Sequence, residues 1–357
     1  MVVGDSDFIP ANGVTGGTGT SSDPFIIEGW GIDAEIAAGI SISGTTAHFV
    51  IRNVNISRAA PLPNQYGIYL HHIVNGSIES SNISGGLVYG IYIFSQSSNI
   101  PIPNCSFEAS THYNNQYNSY MRDSSLISPS GNAIASESGY SSWGVIIWRS
   151  NNITMSGNVF ANCSTSIWGY ELGHFNAHSI SIDNTVNGKP IYYCKNTTGT
   201  VIDGVNIGKL IMANCTDISV SNLDVSDNDV SSIFAYVCGG TVEDCVISPR
   251  NYAGIYPYEC TGLNFSGNRM SNCSFGVFLE YSDDFTFYDN LFNSISSHGV
   301  FIRGADNLTF NANNVSEVAW GGARFESSTN CTHLLDEVAG FETVNSNAKY
   351  KDFNKHA

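Results

Sequence analysis

Six residues toward the C-terminal end carry side chains suited to acid–base chemistry: Glu280, Asp283, Asp284, His298, Arg303 and Glu326. Hydrolysis of a glycosidic bond takes two carboxyl groups, about 5–5.5 Å apart in a retaining site or about 6.5–9.5 Å in an inverting one. Asp283 and Asp284 are adjacent, whereas Glu280, Arg303 and Glu326 recur 23 residues apart. That interval also fits a column of alternating charges that simply attract one another.

A second set is suited to binding. One run of positions reads Tyr69, Tyr92, Ile146, Trp168, Ile211, Phe234, Tyr256, Phe278 and Phe301; two residues further on, a parallel run reads His71, Phe94, Trp148, Tyr170, Ala213, Tyr236 and Tyr258. Tyrosine and tryptophan rings offer flat apolar faces with a polar handle, an arrangement on which sugar rings stack while nearby polar groups hold hydroxyls. The candidate ligand-binding residues are therefore Tyr69, His71, Tyr92, Trp148, Trp168, Tyr170, Tyr236, Tyr256 and Tyr258. The same surface also suits a protein partner, including a second copy of the chain, because contiguous apolar patches mark interfaces.

A repeat must position these residues. Gly254–Ser274, Gly276–Ser297 and Gly299–Trp320 align almost without gaps, and glycines at 254, 276, 299 and 322 set a period of 22 or 23 residues. That period is too short for a two-helix repeat, and its alternating apolar residues are those of strands. Counting each glycine as zero, positions one and three are aliphatic in Ile40/Ile42, Ile68/Leu70, Ile91/Ile93, Val145/Ile147, Val277/Leu279 and Val300/Ile302. They face inward, so positions two and four face outward. A second strand follows, then an asparagine at 158, 268, 290 and 313 that suits a sharp turn and stacks into a ladder. The fold class is an all-β solenoid of about 11–12 coils, with three short strands per coil.

With these motifs, the chain resembles the right-handed parallel β-helix proteins with NosD-type and carbohydrate-binding-and-sugar-hydrolase repeats, especially archaeal surface proteins. The segment Gly16–Asp33 resembles their entry segment, and Asn184–Asn196 with Leu210–Val220 resembles their mid-domain insertion. The resemblance implies a right-handed single-stranded β-helix and leaves function open, since such folds host enzymes, binders and scaffolds. Asp283-Asp284, His298-Gly299 and Arg303 also resemble, in order, polygalacturonase elements. The match departs at Ser297 and at Gly304-Ala305, where that pattern has glycine and Arg-x-Lys.

One domain is expected over residues 1–357. Residues 1–33 form an entry or cap, 34–335 the coils, and 336–357 a C-terminal cap or tail. Lateral insertions are expected near 107–142 and 170–208, where the period breaks, and these segments are candidates to fold over the aromatic face. The N-terminus has no signal-peptide pattern, no run is apolar enough for a membrane-spanning helix, and 13 Asn-x-Ser/Thr sequons suit an extracellular, cell-surface glycoprotein.

Cys215, Cys238 and Cys260 share position six of consecutive coils, a cysteine ladder at a spacing that a disulfide accepts. No Cys-x-x-Cys motif occurs, and His71-His72, His174 and His178 are not arranged as an evident metal set, so no cofactor or metal is expected. A net charge of −17 argues against nucleic acid and favours neutral glycans or protein partners. These features point to an exported non-catalytic scaffold that binds glycans or neighbouring surface subunits. The alternatives are a polysaccharide hydrolase or lyase and, from the resemblance, a NosD-like accessory protein in copper-site maturation.

Overall fold

The computed structural model describes residues 1–58, 66–109, 116–136, 142–226, 231–250, 252–334, 337–338 and 341–344. Its contacts divide the chain into two compact units, Met1–Gly188 and Lys189–Ala357. In the first unit the opening strands of successive coils are Val2–Val3, Ile40–Thr45, Tyr66–Ile73, Tyr89–Phe94, Gln116–Arg122, Ser142–Trp148 and Thr165–Trp168, paired in that order. In the second unit they are Lys189–Thr198, Lys209–Thr216, Ile233–Tyr236, Ala253–Tyr258, Phe275–Glu280, His298–Arg303, Gly321–Glu326 and Phe341–Val344. Among the described residues these strands pair in parallel. The chain is the expected all-β parallel solenoid, with about 12 turns over the two units.

The aliphatic pairs fill the interior: Ile42, Ile68, Leu70, Ile91, Ile93, Val277, Leu279 and Ile302 are fully buried. Glycine opens many coils because a side chain there would run into the neighbouring coil and the interior. A Cβ on Gly276 would lie 2.4 Å from the Phe292 ring and 2.5 Å from the Gly299 carbonyl oxygen.

Each opening strand of the second unit from 209 to 280 ends on a residue with left-handed backbone angles: Asn214, Val237, Glu259 and Tyr281. The next residue turns inward and is small, either Cys or Ser. Its γ atom reaches the carbonyl two residues back, at 3.2 Å for Cys238 to Tyr236 and 2.7 Å for Ser282 to Glu280. Ser124 and Ser150 do the same in the first unit, at 2.8 and 3.0 Å. Serine and cysteine are thus interchangeable at one bend, where each adds a second donor to a carbonyl that already accepts a backbone amide, as the Glu280 carbonyl does from Glu259 at 3.0 Å.

The asparagine ladder forms in both units. Asn268 donates its amide to Asn290 at 3.0 Å, and Asn290 donates to Asn313 at 2.9 Å. In the first unit Asn132, Asn158 and Asn184 repeat the arrangement at 2.9 and 2.7 Å. All six are buried.

Two expected insertions are largely ordinary coil. Within 107–142, strands Gln116–Arg122, Ser125–Ser130 and Ala133–Ser136 all pair in register with both neighbouring coils or with one of them. Residues 110–115 and 137–141 of that segment lie outside the described residues. The repeat is masked there because Asn118 stands at the glycine position and Ser119 at the first aliphatic one. Within 170–208 a single helical turn, Gly173–Asn176, leaves the coil path, and the strands at 179–180, 185–186, 189–198 and 201–203 rejoin it. The entry segment also pairs as coil, Phe25–Glu28 with 49–52 and Gly31–Asp33 with 55–57. At the other end, strand pairing continues to 341–344, and residues 336, 339–340 and 345–357 of the expected cap lie outside the described residues.

Candidate functional site

The outward face of the opening strands differs between the two units. In the first unit it carries three columns of rings. Register pairs Tyr66, Tyr89 and Tyr117 with Trp143 one residue before the glycine position, Tyr69, Tyr92 and Tyr120 with Ile146 at position two, and His71, Phe94, Arg122, Trp148 and Trp168 at position four. The rings stack along the coil direction. Tyr66–Tyr89 and Tyr89–Tyr117 centroids lie 5.2 and 5.0 Å apart and nearly parallel, and His71–Phe94 lie 5.3 Å apart. These residues, Ile146 excepted, remain partly exposed.

At its far end the face hollows into a slot of about 290 Å³ lined by Tyr117, Tyr120, Trp143, Ile146, Trp148 and Trp168. Ile146 is buried and forms the floor; the five rings are the walls. Trp148 and Trp168 are stacked, and Trp143 meets Trp168 edge-on at 6.0 Å.

Burial raises the hydroxyls of Tyr66, Tyr89, Tyr117 and Tyr120 above the ordinary value, Tyr89 to about 12, and neighbouring phenols add to it at Tyr66, Tyr89 and Tyr120. They stay protonated and serve as hydrogen-bond donors. Burial, and then the adjacent His72, lowers His71, so it is neutral at pH 7. Arg122 lies over the Phe94 ring at 5.2 Å and pairs with Asp123, which also holds Arg149 at 2.6 Å. The cations beside the platform are therefore already partnered.

In the second unit the corresponding face is mostly closed. Tyr236 and Tyr256 are each only 2% exposed, and Phe234, Phe278 and Phe301 are also buried. Tyr258 is partly exposed. The Tyr236 hydroxyl donates to Glu259 at 3.0 Å, and the Tyr256 hydroxyl donates to Glu280. Tyr236 and Tyr256 thus lack the accessible ring faces expected of them.

The sequence also places two residues of the first unit one column off. Trp168 pairs with Trp148 at position four, with Ser166 at position two, and Tyr170 lies past the strand end, 63% exposed. The coil between Gly144 and Ser164 is shorter than the repeat, which shifts the count. The column of Tyr66, Tyr89, Tyr117 and Trp143 is absent from the expected set, although an aromatic directly before the glycine position is its visible mark.

The acid–base candidates divide. Arg303 joins Glu280 at 2.8 Å and Glu326 at 3.1 Å, and Arg324 also holds Glu326. Both carboxylates are committed to guanidinium groups, as the alternating-charge reading expects. Asp283 accepts from the Asp306 backbone amide, and Asp284 accepts from the Asn307 side chain, in turns away from that trio. His298 is buried at the opposite end of its strand, against Phe275, Phe301 and Trp320. The structure therefore does not gather the six into one constellation.

His174 accepts the backbone amides of Tyr170 and Glu171 at its Nδ1, and His178 makes a hydrogen bond to the His174 carbonyl. They brace the helical turn. Among the described residues no three His, Cys, Asp or Glu side chains converge as a metal would need. All nine cysteines are buried and none is in a disulfide, so the column at Cys215, Cys238 and Cys260 is a ladder of thiols.

Among curated proteins no sequence matches the chain. Solved structures with a similar course include the periplasmic alginate epimerase AlgG, at 12% identity over 94% of this chain and 83% of that one, with a TM-score of 0.31. Others are the mannuronan C-5 epimerase AlgE6 A-module of Azotobacter vinelandii, at 12% identity over 90% and 87% with a TM-score of 0.33, and DFA-IIIase from Arthrobacter chlorophenolicus, at 10% over 90% and 86% with 0.30. No helix in the described residues is long and apolar enough to cross a membrane. A family model described as the right-handed β-helix region matches residues 38–207 and 208–348, and with the parallel coils seen throughout both units the chain belongs to that family.

Proposed function

We propose that this protein is an exported cell-surface scaffold that binds neutral glycans, without catalysis, on the aromatic face of its first unit. One observation carries the reading: partly exposed tyrosine and tryptophan rings stack in register over consecutive coils and end in an aromatic-walled slot of about 290 Å³. Flat rings with protonated phenols suit pyranose faces and their hydroxyls. Neutral ligands are favoured because Arg122 and Arg149 are held by Asp123, His71 is uncharged, and the chain carries −17 overall. The expected site narrows accordingly to Tyr69, His71, Tyr92, Trp148 and Trp168, joined by Tyr66, Tyr89, Tyr117, Tyr120 and Trp143.

A glycan array followed by calorimetry tests this. Wild type should bind neutral oligosaccharides, Trp148→Ala should lose about tenfold or more in affinity, and Tyr258→Ala in the second unit should bind as wild type. Equal binding by Trp148→Ala, or binding confined to other copies of the chain, overturns the glycan reading.

A further inference from the structure

Eight of the nine cysteines follow a residue with a positive φ: Cys105, Cys163, Cys215, Cys238, Cys245, Cys260, Cys273 and Cys331 come after Asn104, Asn162, Asn214, Val237, Asp244, Glu259, Asn272 and Asn330. They sit at bends, where serine stands in other coils. Cys194 is the exception. It lies within the strand Lys189–Thr198, aligned with Met212 of the next coil, and no bend requires its thiol.

Its sulfur meets another. Cys194 Sγ lies 3.8 Å from Cys215 Sγ, and the Thr197 hydroxyl lies 3.2 Å from the first sulfur and 3.6 Å from the second. Both cysteines are buried, and they are on neighbouring strands of one unit. We propose that Cys194 and Cys215 are a redox-active dithiol that closes to a disulfide joining the first two coils of the second unit. Bond formation needs the sulfurs to approach from van der Waals contact to about 2.05 Å, and because register sets Cys194 against Met212 and Cys215 against Thr197, the backbone at the bend between them must close as well.

The chemistry uses an external disulfide as oxidant. The Cys215 thiolate attacks one of its sulfurs, forming a mixed disulfide and expelling a thiolate. Cys194 then releases its proton and attacks Cys215 Sγ, which expels the second thiolate. The protein dithiol loses two electrons and two protons, and the external disulfide gains them as two thiols. Cys215 is the natural first nucleophile, because its hydrogen bonding with Cys194, and then with Cys238, pushes its thiol down while Cys194 is pushed up. Because both sulfurs are buried, the reaction proceeds during folding or during local opening of the coil.

The test refolds the full chain in reduced glutathione or in oxidised glutathione, alkylates the remaining thiols in denaturant, and maps cross-linked peptides by mass spectrometry. The oxidised wild type should show two fewer alkylated thiols than the nine of the reduced chain, with Cys194 and Cys215 in one cross-link and a Tm several degrees higher. Cys194→Ala and Cys194→Ser should each show no protein cross-link at Cys215, which stays a thiol or is held as a mixed disulfide with glutathione, and no oxidation-dependent rise in Tm. Nine alkylated thiols in the oxidised wild type, a cross-link between other cysteines such as Cys238 and Cys260, or an undiminished effect in the Cys194 variants overturns the proposal.

Discussion

The indole rings of Trp148 and Trp168 stack with centroids 6.3 Å apart and planes 27° from parallel. Register makes them neighbours on adjacent strands, and together they close one side of the slot. Trp168→Ala opens that side without touching the interior. It should lower glycan affinity about tenfold and reduce the ligand-induced change in tryptophan fluorescence, with Tm shifted by little. Unchanged affinity, read by fluorescence titration, would remove Trp168 from the binding surface.

Lys209 stands at a position that glycine holds in later coils, and it is 1% exposed. Burial drives its ammonium from 10.5 down to about 7. Between those values the unfolded chain binds a proton that the folded chain lacks, so stability rises with pH across that window. Below about 7 both states are protonated and the full penalty stands. Lys209→Met should therefore stabilise the protein by about 4 kcal/mol near pH 7, with the gain fading as pH approaches 10.5. Urea titrations at about pH 7, 8.5 and 10 check the trend; a gain independent of pH would contradict it.

Asn290 is a middle rung: it donates to Asn313 and to the Phe265 carbonyl, and its own oxygen accepts from Asn268. Asn290→Ala strips partners from the two flanking amides and from a buried carbonyl. A loss of about 2–4 kcal/mol is expected in chemical denaturation. Asn293→Ala, at a partly exposed site close by in sequence, should lose less than about 1 kcal/mol.

Val237 holds a φ of 50° at the bend before Cys238, an angle that a β-branched residue adopts only under strain. Asn214 occupies the same place one coil earlier with a φ of 56°. Val237→Asn should raise stability by about 1 kcal/mol, visible as a higher Tm. A lower Tm would show that the Val237 side chain contributes more by packing than its backbone loses.

The inward aliphatics, the thiol column at Cys215, Cys238 and Cys260, and the outward rings at Tyr69, Tyr92 and Trp148 are all legible in the sequence, because alternation along a strand fixes which face each residue takes. The coil holding Tyr117 and Tyr120 is not, since Asn118 and Ser119 erase both marks of the repeat while the backbone keeps its course. Cys194 escapes notice for a related reason: it reaches Cys215 from a different position of the strand, a contact that counting along columns does not reveal. The closure over Tyr236 and Tyr256 depends on how neighbouring rings and carboxylates pack across the face, as when Glu280 takes the Tyr256 hydroxyl, and periodicity carries no record of that. The proposed glycan site therefore lies on the first unit.

The ladder through Asn268, Asn290 and Asn313 has one further implication. Each rung presents the same donor forward and the same acceptor backward, so any rung can follow any other. A duplicated stretch of 22 or 23 residues would arrive with compatible seams on both sides, as would an excised one. Length is then a freely evolvable trait: recombination between repeats can lengthen or shorten the protein by whole coils without inventing new chemistry at the junctions.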